Sequence, residues 1–131
     1  MTKYMDVGVA AGGSGLALFR VEVADSWLGR LRGLIGRPSL DAGSGLYLTG
    51  TNSIHMFFMR FPIDVVFLGA PRNDGARPVV ALKSNLKPWT GIIWYVRGAR
   101  GAIELPAGSL AASGLSVGDY LRLEAIGGAS T

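Results

Sequence analysis

At 131 residues the chain is long enough for one domain that buries a core without covalent staples. It has no cysteine and one histidine, which excludes a disulfide framework, a thiolate metal site and a cysteine nucleophile, and no cofactor is expected. The net charge of +4 comes from scattered arginines and lysines without a block of like charge, and no stretch is apolar enough to span a bilayer.

Residues 1–15 are rich in glycine and carry no leucine-type apolar core ahead of a small-residue cleavage site. They read as a flexible N-terminal segment, residues 16–126 as the single globular domain and 127–131 as a frayed tail. Leu16 to Val23 alternates, with Phe19, Val21 and Val23 on the buried face of a strand. Asp25-Ser26 offers a helix N-cap, and Trp27, Leu28, Leu31, Leu34 and Ile35 follow at helical spacing up to Gly36 and Pro38. Short strands are expected over Gly45–Thr49, Ser53–Phe58, Ile63–Leu68, Val79–Leu82, Gly91–Val96, Ala99–Leu105 and Tyr120–Ala125. Ile63 to Leu68 is apolar on both faces beyond Asp64, the pattern of a central strand. Lys87-Pro88-Trp89 breaks the sheet, because proline has no ladder donor. Pro106 to Ser113 suits one or two helical turns that stop at Gly114. Many short strands with one or two capping helices give a mainly β fold, an antiparallel barrel or sandwich bordering on α+β.

The residues that stand out lie in Thr51 to Leu68, which holds the single histidine and an aspartate inside an apolar run. A carboxylate at Asp64 must find donors, because burial without partners costs several kcal/mol. It reads as a general base, as a ligand anchor, or as an acceptor of backbone amides. A two-residue turn at Met59-Arg60 would set His55 opposite Asp64, the orienting half of a nucleophilic triad, yet two-residue turns favour glycine or asparagine. Met56 and the neighbouring phenylalanines can line an apolar pocket, and Arg60 can clamp an anionic group. Glu104 is the second acid in an apolar strand and either joins Asp64 in a two-carboxylate site or pairs with an arginine. Trp89 offers an apolar wall. Gly12-Gly13-Ser14-Gly15 lacks the lysine of a phosphate loop, and no nucleic-acid-binding motif is present.

The run Ile54-His55-Met56-Phe57-Phe58-Met59-Arg60-Phe61-Pro62-Ile63-Asp64-Val65-Val66-Phe67 resembles the signature of a bacterial and archaeal family. That family is known as domain of unknown function, family one hundred and ninety-two. Asn85-Leu86-Lys87-Pro88-Trp89, Ile103-Glu104-Leu105-Pro106-Ala107-Gly108 and Gly114-Leu115-Ser116-Val117-Gly118-Asp119 agree with it, and the resemblance covers about residues 16 to 125. It implies a small, mainly β domain, exported in some members, with no established reaction, substrate or cofactor. Tryptophan replaces the residue matching His55 in one branch, which speaks against a histidine catalyst. The chain departs from the family at Gly69 to Arg77.

The sequence therefore predicts a non-enzymatic ligand-binding or interaction module with its pocket around Ile54 to Phe67. His55, Met56, Arg60, Asp64, Trp89 and Glu104 are the candidate ligand-binding residues. The expected partner is a small molecule or a protein, and nucleic acid is not an expected one. The expected compartment is the cytoplasm, or outside it if a leader has been removed. The two competing readings are a hydrolase or lyase using an Asp64-His55 acid/base pair, and a purely structural role for the polar residues.

Overall fold

The computed structural model describes residues 3–9, 17–24, 39–55, 59–89, 92–93 and 95–126. The helix expected from Asp25 to Gly36 lies outside the described residues. Nine strands and one short helix make up the elements described: β1 (Tyr4–Val9), β2 (Ala17–Ala24), β3 (Ser44–Thr49), β4 (Ile54–His55), β5 (Ile63–Leu68), β6 (Arg77–Leu86), β7 (Ile92–Ile93), β8 (Gly101–Pro106), α1 (Ser109–Ser113) and β9 (Tyr120–Ala125). Seven strands hydrogen-bond in the closed order β1-β2-β3-β8-β5-β6-β9, and β4 and β7 pair separately as a small ribbon. The mainly β reading with a short helix is therefore what the chain adopts.

One pairing departs from an all-antiparallel barrel. β2 and β3 run parallel, from Arg20 opposite Ser44 to Ala24 opposite Leu48. Parallel neighbours require a long crossover, and residues 25–43 separate these two. A second departure is β1. The glycine-rich start was read as flexible, yet Tyr4–Val9 pairs with β2 on one side and β9 on the other. Val7 is fully buried, and Met5 and Val9 pack on the same core. The pairing that makes this a strand comes from residues far away in sequence, which local composition does not register.

Closure gives β5 two buried faces. Val66, Leu68, Ile103, Leu105, Val7, Val21 and Leu121 come from five strands and fill the barrel interior. Ile63, Val65, Phe67, Ala102, Leu46 and Leu48 point the other way and pack with Ile54 and Met59 in an outer layer. All six residues of β5 are consequently buried. At one mouth of the barrel α1 inserts Leu110, and Gly114 at φ 71° ends the helix. At the other mouth Arg77 donates from Nε to the Gly69 carbonyl at 2.9 Å, from Nη2 to the Arg100 carbonyl at 3.0 Å, and from Nη1 to the Tyr47 hydroxyl.

Close approach of β3 to β8 depends on Gly45. A Cβ there would stand 2.7 Å from Leu105 Cδ2 and 2.8 Å from the Glu104 backbone carbonyl oxygen. The carbonyl belongs to the ladder and cannot swing aside. Gly45→Ala is expected to cost about 2 kcal/mol through overpacking. Urea denaturation checks this, and a loss below about 0.5 kcal/mol, the scale of a neutral surface change, would show that the strands can separate without penalty.

Candidate functional site

Asp64 is the second residue of β5 and is 1% exposed. Its Oδ1 accepts the Asn85 amide at 2.8 Å. Its Oδ2 accepts the Gly108 amide at 3.1 Å and the Leu110 amide at 2.9 Å. One carboxylate thus ties together β5, the end of β6 and the first turn of α1. The bond to Asn85 also accounts for the left-handed backbone of that residue, φ 53°, which asparagine tolerates better than most residues. Both oxygens serve the fold.

The proposed pairing with His55 is not built. β4 pairs with β7, His55 opposite Ile92, whereas β5 lies between β6 and β8. Met59-Arg60 is not a two-residue hairpin turn, so Asp64 and His55 are not cross-strand partners. Pro62 and the absence of a glycine or asparagine at the turn are the local reasons. Glu104 does not join Asp64 either. In the β5–β8 ladder Asp64 stands opposite Leu105, and Glu104 opposite Val65. Cross-strand partners share a face and neighbours along a strand alternate, so the two acids point to opposite sides of the sheet. Asp64 lies on the interior side with Leu105. Glu104, 5% exposed, lies on the outer side with Val65 and Leu46. A single two-carboxylate site is ruled out by this parity.

The remaining candidates fall on the outside. Met56 is outside the described residues, and His55 is placed by its backbone in β4. Arg60 is exposed. The antiparallel pair Ile63–Leu86 sends residues 60–62 and 87–89 out at the same end of the barrel, which brings Arg60 and Trp89 to one region. Trp89 is 54% exposed and has φ 69°. The β4–β7 ribbon continues away from this end to a second exposed aromatic, Tyr95, 65% exposed and followed by exposed Arg97. The chain after Tyr95 is tied to the other end of the barrel, where the Val96 amide donates to the Asn52 carbonyl and the Arg100 amide to the Leu68 carbonyl.

Clefts among the described residues lie elsewhere. One, about 420 Å³, sits between β2 and α1 and is lined by Phe19, Pro106, Ser109 and Ala112 among others. Another, about 260 Å³, lies beside Tyr4, Arg20 and Glu22. Arg60, Asp64, Trp89 and Glu104 line neither one. No three histidine, cysteine, aspartate or glutamate side chains come together among the described residues. No helix among them is long and apolar enough to cross a membrane.

The loop where the chain leaves the family pattern has its own order. Asp74 accepts the Ala76 amide at 3.0 Å and two bonds from Arg72, while Arg122 donates to the Asp74 carbonyl and Arg72 covers the Tyr120 ring. The Ala76 amide first, and then the Arg72 guanidinium, hold the Asp74 carboxyl below the ordinary aspartate value.

These observations define a class: a small closed β domain whose interior acid is committed to the fold. The family model DUF192, described as an uncharacterised ACR, matches residues 8–123, and the chain belongs to this family. A curated relative from Thermococcus sibiricus, named UPF0127 protein, is 37% identical over 111 residues; the match covers 80% of this chain and 66% of that relative's length. Two solved structures share the fold. One, from Sinorhizobium meliloti and described as a candidate transcription regulator, is 24% identical with a TM-score of 0.74, covering 95% of this chain and 94% of that one. The other, a protein of unknown function from Novosphingobium aromaticivorans, is 22% identical with a TM-score of 0.72, covering 92% and 83%.

Asp64→Asn puts an amide donor against a cluster of amide donors, and is expected to lower stability by about 3 kcal/mol. A urea midpoint within experimental error of wild type would show that Asp64 does not hold the three segments together. For Asp74 the folded pKa is lowered, so its contribution is present above the unfolded value of 3.8 and disappears as pH falls through the folded value beneath it. Asp74→Asn should flatten the stability profile of the wild type in that acid window alone; an identical profile in both proteins would refute the assignment.

Proposed function

We propose that this protein is a non-enzymatic interaction module whose binding face is the outer surface at the Ile54 to Phe67 stretch and the ribbon beside it. The carrying observation is Trp89. A bulky residue at φ 69° is an outlier, and a left-handed backbone costs a non-glycine residue about 1–2 kcal/mol. Strain of that size held at a half-exposed aromatic points to use of the side chain rather than to packing. Asp64 contributes from within: it fixes Asn85, four residues before Trp89, and so sets the course of the Lys87-Pro88-Trp89 turn.

In this reading Arg60 and Trp89 belong to the contact set, Glu104 lies on the outer wall, and Asp64 acts as a positioning residue; Met56 lies outside the described residues. The acid/base reading has no support, because both Asp64 oxygens accept backbone amides and β4 pairs with β7. The structural reading accounts for Asp64.

The test separates stability from binding. Trp89→Gly removes the left-handed penalty and loses half-buried contacts, so folding stability is expected to stay within about 1 kcal/mol of wild type. A loss of about 3 kcal/mol, the scale of a core aromatic truncation, would make Trp89 a packing residue and remove the basis for the proposal.

A further inference from the structure

The seven-stranded ring has one short join. β6 meets β9 only at Arg77 opposite Leu121 and Pro78 opposite Tyr120. Every other join of the ring runs over at least four residues of each strand. Just past the short join the Val79 amide donates to the Asp119 carbonyl at 2.8 Å, and the Gly118 amide to the Val79 carbonyl at 2.9 Å. Ladder bonds contribute similar amounts one by one, so the join with the fewest holds the ring least firmly.

β9 shows the shortfall directly. The Ile126 amide donates to the Tyr4 carbonyl. By the alternation of an antiparallel ladder, Arg122 and Glu124 therefore also turn their backbone groups to β1. Leu121, Leu123 and Ala125 turn theirs to the β6 side. Leu121 finds Arg77 there, and beyond it no described strand pairs with Leu123 or Ala125.

Side chains of the β5–β6 loop reach across the join. The Arg72 guanidinium lies over the Tyr120 ring, 4.0 Å from its centroid. Arg122 donates from Nη1 to the Asp74 carbonyl at 2.8 Å, and its Nη2 stands 3.6 Å from Asp74 Oδ2. Arg72 donates to the same carboxylate from Nε at 3.2 Å and from Nη2 at 2.7 Å. One carboxylate thus aligns two arginines, one reaching from the loop to β9 and the other from β9 to the loop.

We propose that the ring opens at the β6–β9 join and that Arg72, Asp74 and Arg122 form the latch that keeps it shut. All three lie at the surface, where ion pairs are individually weak. That strength suits a join that opens within the native state, below the free energy of global unfolding. Opening releases Leu121 from Arg77 and turns Leu121, Leu123 and Ala125 into one continuous strand edge, the kind that accepts an added strand. The latch uses none of the residues of the interaction face and stands independently of it.

The experiment is residue-resolved amide hydrogen exchange on the full chain at neutral pH. In the wild type the Val79, Gly118 and Leu121 amides are expected to exchange at least about 10-fold faster than those of β5 and β8, which lie between strands on both sides. Arg72→Gln and Arg122→Gln should each speed the three join amides about 3-fold further, and the double variant about 10-fold, with β5 and β8 unchanged. Equal protection of the join and of β5 and β8 in the wild type would mean that the ring opens only by global unfolding, and would overturn the proposal. Uniform acceleration of all strand amides in the double variant, or none at all, would show that the two arginines do not latch this join.

Discussion

The Asp64 carboxylate is the constraint on which the rest of the structure turns. Its two oxygens meet three backbone amides from two segments distant in sequence, at Asn85 and at Gly108 and Leu110. An ion buried among Val66, Leu105 and Leu110 is tolerable only with such compensation. The amides gain as much as the acid does. Gly108 and Leu110 stand at the start of a five-residue helix with no side-chain cap of its own, where orphan amides need an acceptor. One side chain thereby closes one mouth of the barrel and sets the direction of the chain leaving β6.

The opposite mouth is closed by different chemistry with the same logic. Arg77 spreads its donors over the Gly69 and Arg100 carbonyls and the Tyr47 hydroxyl, so the ends of β3 and β5 and the approach to β8 meet at one guanidinium. Gly101 leaves room for it: a Cβ there would stand 2.9 Å from the Tyr47 ring. A polar group at each end and an apolar interior between them let a seven-stranded ring close around side chains alone. The acids on β5 and β8 are separated by the same architecture, since adjacent register positions in a ladder face opposite ways. That parity removes a catalytic pair.

Much of the candidate site was legible locally. An aspartate in an apolar strand announces a need for donors, and the Thr51 to Leu68 stretch does supply both a central strand and part of the outer layer. The identity of the donors was not legible, because backbone amides carry no residue signature and those that bind Asp64 lie 21, 44 and 46 positions away. The His55–Asp64 pairing failed for a related reason: nearness in sequence suggested a hairpin, whereas β4 finds its partner in β7, across the intervening β5 and β6.

The sequence by itself determined the strands that alternate or run apolar, β3, β5, β8 and β9, the stop of the short helix at Gly114, and the family. These depend on side-chain period and on single-residue backbone preferences, which are properties of short segments. Tertiary structure alone decided that Tyr4–Val9 is a strand, that β2 and β3 run parallel, and that Asp64 and Glu104 part company. Each of these depends on which strand lies beside which, and ring closure sets that order through contacts between residues far apart in the chain.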